Sequence, residues 1–147
     1  MSDRNHLTFE VLDQINDIEL IVLKGHVLIE KSINQALEGL LPVRKKFKKL
    51  ERFDFHGRLT ILSCLFEFPD PMGFSYIKKF NTIRNKFAHE LDSQKFHSLL
   101  IDWIVDVLHS DREKLRNDSK HFRYQLIEAI SVQTMFFEGF NQDNLTH

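Results

Sequence analysis

Asp17–Leu40, DIELIVLKGHVLIEKSINQALEGL, is the stretch whose periodicity decides the fold. At about 100° per residue, Val22, Leu23, Ile29, Ile33 and Leu37 gather on one side of a helix. Pro42, which lacks an amide donor and clashes with the preceding turn, stops the pattern. Glu19, His26 and Glu30 point the same way as the apolar arc. Hydrophobic burial alone would not choose three ionisable groups there. His26 and Glu30 are one turn apart, so they can share a hydrogen bond or a common partner.

The helical period recurs on both sides of this segment. Leu7 to about Ile15 forms either a separate helix or the first arm of a bent one. Further helices are expected at His56–Phe66, Phe74 to about Glu90, Ser93–His109 and Lys120–Phe140, with a fraying polar tail from about Asn141. A basic connector, Arg44-Lys45-Lys46-Phe47-Lys48-Lys49, links the long helix to the next, and Gly73 marks a bend before the helix that follows it. With five Gly and three Pro, and no repeat or linker, the chain is expected to be all-α. The expected architecture is one up-and-down bundle of about five helices over residues 1–147.

Composition narrows the function classes. A hydrophobic fraction of 42% and a charged fraction of 28% suit an ordinary globular core. A net charge of −1 argues against a protein that coats nucleic acid through overall positive charge, while leaving room for a local basic patch. Cys64 stands alone, so it supports neither an internal disulfide nor a cysteine metal site, and a reducing cytoplasm is expected. Met1–His6 has no apolar run behind its charges, and Glu19, Lys24 and Glu30 interrupt the apolar stretches, so neither a signal peptide nor a membrane span is expected. Fourteen Phe against two Tyr and one Trp imply a bulky aromatic core or a self-association surface. Phe122, Tyr124, Phe136, Phe137 and Phe140 exceed what one core-facing stripe of the last helix needs.

The chemistry concentrates in Arg84-Asn85-Lys86-Phe87-Ala88-His89. A guanidinium grips phosphate with two parallel donors, and an imidazole transfers protons near neutral pH. On this helix Tyr76, Ile77, Phe80, Ile83, Phe87, Ala88 and Leu91 form an apolar arc with Arg84 inside it. A buried guanidinium needs a partner, and Glu30 is the first choice, Glu19 the second. Asn81, Asn85 and His89 recur every fourth residue as a polar stripe beside the arc. Arg84 and His89 lie about 140° apart around the helix, so a common phosphate would need the helix end, a second helix or a second subunit.

With these residues placed, the chain resembles the HEPN superfamily, helical bundles marked by Arg, four to six residues, then His. Ile83-Arg84-Asn85-Lys86-Phe87-Ala88-His89 is similar to the form in many bacterial members, and Gly25-His26-Val27-Leu28-Ile29-Glu30 to their first long helix. The resemblance covers roughly residues 17–91. It implies metal-independent RNA cleavage in a bacterial toxin–antitoxin or phage-defence system, with no cofactor and a homodimer whose two motifs face each other. It further implies that His89 exchanges the proton, Arg84 holds the phosphate and Asn85 orients the phosphate or the His; Glu30, His26 and Asn81 are read from their helix faces as supporting residues. The products would be a 2′,3′-cyclic phosphate and a 5′-hydroxyl, and DNA would resist for want of a 2′-hydroxyl. Leu91 stands where a toxin subgroup paired with a nucleotidyltransferase antitoxin carries a modified Tyr. The alternative from another class is a silent HEPN-like module docking RNA, a nucleotidyltransferase or another defence protein.

Plainer roles stand beside these. Arg84 could be a packing ion pair, and His89 could bond the last carbonyls of its helix. Arg44, Lys45, Lys46, Lys48 and Lys49 could be an RNA-backbone footprint or a solvated run. Asp106-x-x-His109 resembles half of a carboxylate-bridged metal site, but a di-iron bundle wants two Glu-x-x-His motifs with further Glu ligands and the chain has no Glu-x-x-His, so no metal is expected.

Overall fold

The computed structural model describes residues 3–41, 44–65, 72–89 and 93–143; the side chains of 3–6, 44–47, 72, 89 and 140–143 are not among those described. Over those residues the protein is an all-α bundle. Its helices are α1 (Asp3–Asp13), α2 (Ile18–Leu40), α3 (Phe55–Leu65), α4 (Met72–His89), α5 (Ser93–Leu108), α6 (Arg112–Asn117) and α7 (Ser119–Asp143). A 3-10 helix, Arg44–Arg52, occupies the basic connector.

The first two helices are separate, and local chemistry explains the break. Asp17 caps α2, its Oδ1 accepting from the Glu19 amide at 2.9 Å. On the other side of the break, Arg123 of α7 takes over the carbonyls that α1 leaves unpaired. Its Nη2 donates to the Asp13 carbonyl at 2.6 Å and to that of Ile15 at 2.7 Å. Asp13 Oδ1 completes the contact at 3.0 Å.

α2 and α7 cross at the centre. Ile21, Val22, Ile29, Ile33, Ala36 and Leu37 of α2 are buried, as are Leu126, Ile127, Ala129, Ile130 and Phe137 of α7. The crossing is close because of Gly25: a Cβ there would lie 2.7 Å from Ile130 Cδ1 and 3.1 Å from its Cγ2. Buried hydroxyls at this crossing bond their own helix, Ser32 to the Ile29 carbonyl and Ser131 to that of Ile127, so they cost little.

Several boundaries differ from the sequence expectation. Gly73 marks no bend: it lies inside α4, where its bare Cα admits the Phe136 ring, whose Cζ would be 2.5 Å from an added Cβ. α5 ends at Leu108, with His109 in the left-handed region (φ 56°), where a helix-ending residue commonly sits. α6, unforeseen, is a short turn capped by Asp111 and tied back to α5 through Arg112–Asp102. α7 continues through Asp143, past the expected fraying point. Residues 144–147 lie outside the described part.

The surplus aromatics of α7 serve the bundle. Phe122 and Phe137 are buried, and Phe136 packs edge-on to Phe74 at a centroid distance of 5.8 Å. Tyr124 is half exposed and meets Phe9 of α1. Phe140 lies outside the described side chains. No described helix is long and apolar enough to cross a membrane.

Candidate functional site

The polar residues singled out on α2 and α4 meet where those helices pack beside α3. On α4, Ile77, Phe80 and Ile83 face the core, which turns Asn81 toward α2 and leaves Arg84 half-buried. Ala88, expected in the apolar arc, is exposed, and Leu91 lies outside the described residues. On α2, Leu23 is at the surface and Glu19 is exposed, so Glu19 is no part of this cluster. Its position in the first turn of α2 accounts for that, since the amide there is bonded to the Asp17 cap.

His26 is the buried member, at 4% exposure. Its Nε2 lies 2.9 Å from Asn81 Oδ1, and its ring packs on Phe55 at 4.6 Å and over Phe80 at 6.2 Å between centroids. With a carbonyl oxygen opposite, Nε2 carries the proton and donates, leaving Nδ1 bare. Glu30 Oε2 is 4.0 Å from Nδ1, too far for a hydrogen bond but near enough to favour a proton there. Burial nevertheless holds the His26 pKa below its ordinary value of 6.5. The Asn81 bond and Glu30 oppose that shift, and the Arg84 charge adds to it. His26 is therefore neutral near pH 7.

Glu30 does not pair with Arg84. Among the described residues its guanidinium partner is Arg58 of α3, with Nη1 3.4 Å from Glu30 Oε1. Arg58 is further fixed by Asn34 Oδ1 at 3.0 Å and by the Phe53 carbonyl at 2.9 Å. The capping turn at Asp54, whose Oδ1 accepts from the Gly57 amide at 2.8 Å, starts α3 so that Arg58 faces α2. Sequence reasoning missed Arg58. The available signal was that it is the lone Lys, Arg, Asp or Glu in Phe55–Leu65, an otherwise uncharged helix.

Arg84 bonds within its own motif instead, Nη1 donating to Asn85 Oδ1 at 3.1 Å. Among the described residues no carboxylate is within salt-bridge distance of it. The guanidinium therefore keeps most of its five donors and its full charge for another anion.

His26, Glu30, Asn81, Arg84 and Asn85 thus come together with Arg58 at one junction. The His89 backbone closes α4, but its side chain lies outside the described residues, as do those of Arg44, Lys45 and Lys46. Lys48 and Lys49 are exposed on the 3-10 helix, which packs against α2. Among the described residues, no three His, Cys, Asp or Glu side chains cluster as metal ligands.

No protein family, curated protein or solved structure matches the chain.

Proposed function

We propose that this protein is a metal-independent endoribonuclease of HEPN type, acting as a cytoplasmic homodimer in a bacterial toxin–antitoxin or phage-defence system. One observation carries the reading most of the way. Arg84 is half-buried and positioned by Asn85, yet Glu30, the carboxylate expected from the sequence to neutralise it, is paired with Arg58. A positioned cation with no carboxylate in reach among the described residues suits a phosphate that arrives and leaves.

In the proposed reaction the ribose 2′-oxygen attacks the adjacent phosphorus. Its proton passes to the His89 imidazole, and the P–O5′ bond breaks as the leaving oxygen takes up a proton. The products are a 2′,3′-cyclic phosphate and a 5′-hydroxyl. Arg84 stabilises the charge that grows on the non-bridging oxygens, and Asn85 holds Arg84 in position. A second copy of the motif across a two-fold axis supplies the other proton-transfer group. RNA is the substrate, and a cognate antitoxin or nucleotidyltransferase is the partner that would restrain it.

The test is cleavage of single-stranded RNA by the full chain in EDTA, with Arg84→Ala and His89→Ala alongside. Chelator-resistant cutting that both substitutions abolish supports the reading. Cutting that survives both, or that needs a divalent metal, overturns it. RNA that is bound but never cut identifies a silent binding module instead, and a strict monomer in sedimentation removes the two-fold site.

A further inference from the structure

We infer that the groove between α4 and α5 is a nucleotide-binding subsite, taking a phosphate on α4 and a base over its apolar floor. The groove encloses about 410 Å³, within the range of small-ligand sites. Ile83, Leu99 and Trp103 form its floor. Trp103 is fixed there because its Nε1 donates to the Tyr76 carbonyl at 2.9 Å and its ring packs on Phe80 at 4.5 Å.

The rims differ in charge, and that difference selects the ligand. Lys78, Lys79 and Lys86 line the α4 side, Asp102 and Asp106 the α5 side. Lys79 is neutralised by Asp106 at 3.1 Å, and Asp102 by Arg112. Lys78 and Lys86 have no carboxylate within salt-bridge distance among the described residues, so the net charge left over is positive and lies along α4. They lie about 12 Å apart along the axis, on either side of the exposed Thr82, so both flexible amines can converge on one phosphate. The α5 carboxylates can accept from ribose hydroxyls or a base amine. An acidic side chain offers the lysines an anion but has no flat apolar face to lie over Ile83, Leu99 and Trp103. A ligand with its anion at one end and hydrogen-bond donors at the other is what the groove complements, and a nucleotide has that form.

Lys86 directly follows Asn85, so this subsite shares a helix with the proposed catalytic Arg84. The source of the nucleotide, within single-stranded RNA or free, rests on the ribonuclease reading; the subsite does not.

Trp103, the one Trp of the chain, is a built-in reporter. The full chain carrying His89→Ala is titrated with a single-stranded oligoribonucleotide and, separately, with a nucleoside 5′-monophosphate, following Trp103 fluorescence. Either ligand should change the emission, the tighter one identifying the source. Lys78→Ala with Lys86→Ala should weaken binding at least tenfold, and Lys78→Arg with Lys86→Arg should restore most of it. Raising the salt should weaken the oligonucleotide more in the protein with both lysines than in the Ala pair. No emission change with either ligand, equal affinity in the Ala pair, or a response to an acidic peptide alone overturns the subsite. Binding with these properties, where the unsubstituted chain cuts no RNA, would sink the ribonuclease reading and leave the subsite standing. Cutting that is indifferent to both lysines, with no response of Trp103, would do the reverse.

Discussion

Glu30 Oε1 lies 3.4 Å from Arg58 Nη1, so the carboxylate of α2 is held by α3 rather than by the motif helix. The Arg58 side chain is 18% exposed and that of Glu30 33%, so solvent screens the ion pair and the neutral contacts to Asn34 and Phe53 matter as much. Arg58→Ala should cost about 1–3 kcal/mol, because it strands those acceptors as well as Glu30. Chemical denaturation measures it, and an unchanged midpoint would mean the contacts are not held in solution.

Arg84 leads to the opposite expectation. Its bond to Asn85 is local, and no described carboxylate depends on it, so Arg84→Ala should alter stability by no more than about 1 kcal/mol. The same substitution should remove RNA cleavage. Arg84→Lys, which keeps the charge and loses the two-pronged geometry, should recover little activity. A large loss of melting temperature in Arg84→Ala would reassign the residue to packing.

The sign of the pH dependence follows from His26 and His97, both depressed below 6.5 mainly by burial. As pH falls, the unfolded chain binds protons at these positions first. Their contribution to stability is thus complete above about pH 6.5 and is lost progressively below it, toward the depressed folded values. Melting temperature should fall as the pH drops below about 6.5. Replacing both residues with Gln should flatten that part of the profile, and an equally steep fall in the double variant would point to other groups.

Asn81 offers a direct probe of the same imidazole. Its hydrogen bond raises the His26 pKa against the effect of burial. Asn81→Ala should therefore move the His26 titration lower, at a cost of about 1–3 kcal/mol for the unpaired Nε2–H. Asn81→Asp should move it upward, because a carboxylate at 2.9 Å favours the imidazolium. Proton NMR of the imidazole resonances distinguishes these directions, and a titration unmoved by either change would break the assigned contact.

Gly25 tests the α2–α7 crossing. In an open helix Gly→Ala gains about 1 kcal/mol from propensity. Here the new methyl meets Ile130 at 2.7 and 3.1 Å, and overpacking of that kind costs about 1–3 kcal/mol. The balance should be neutral to destabilising by about 2 kcal/mol. Adding Ile130→Val, which deletes the clashing Cδ1, should recover part of any loss. A Gly25→Ala protein more stable than the parent would show that the helices can move apart freely.

Much of the bundle was legible because helical burial is a local, periodic property. The α2 arc of Val22, Ile29, Ile33 and Leu37 and the core positions Ile77, Phe80 and Ile83 of α4 follow from a 3.6-residue repeat read one residue at a time. The same register brought His26, Glu30, Asn81 and Arg84 into consideration. It was silent where the cause was not periodic. Whether the first two helices are separate was left open, and the contacts at the break include Arg123, more than a hundred residues away; Gly73 is explained by Phe136 rather than by the expected bend.

What the sequence determined by itself was the all-α class, the buried faces of α2 and α4, and the polar residues placed beside them. Tertiary structure alone decided who pairs with whom. Helical register fixes the side of its own helix from which a side chain projects, but the partner depends on the angle and depth at which another helix approaches. Glu30 could be seen to need a cation; only the packing of α3 against α2 made that cation Arg58 and left Arg84 its charge.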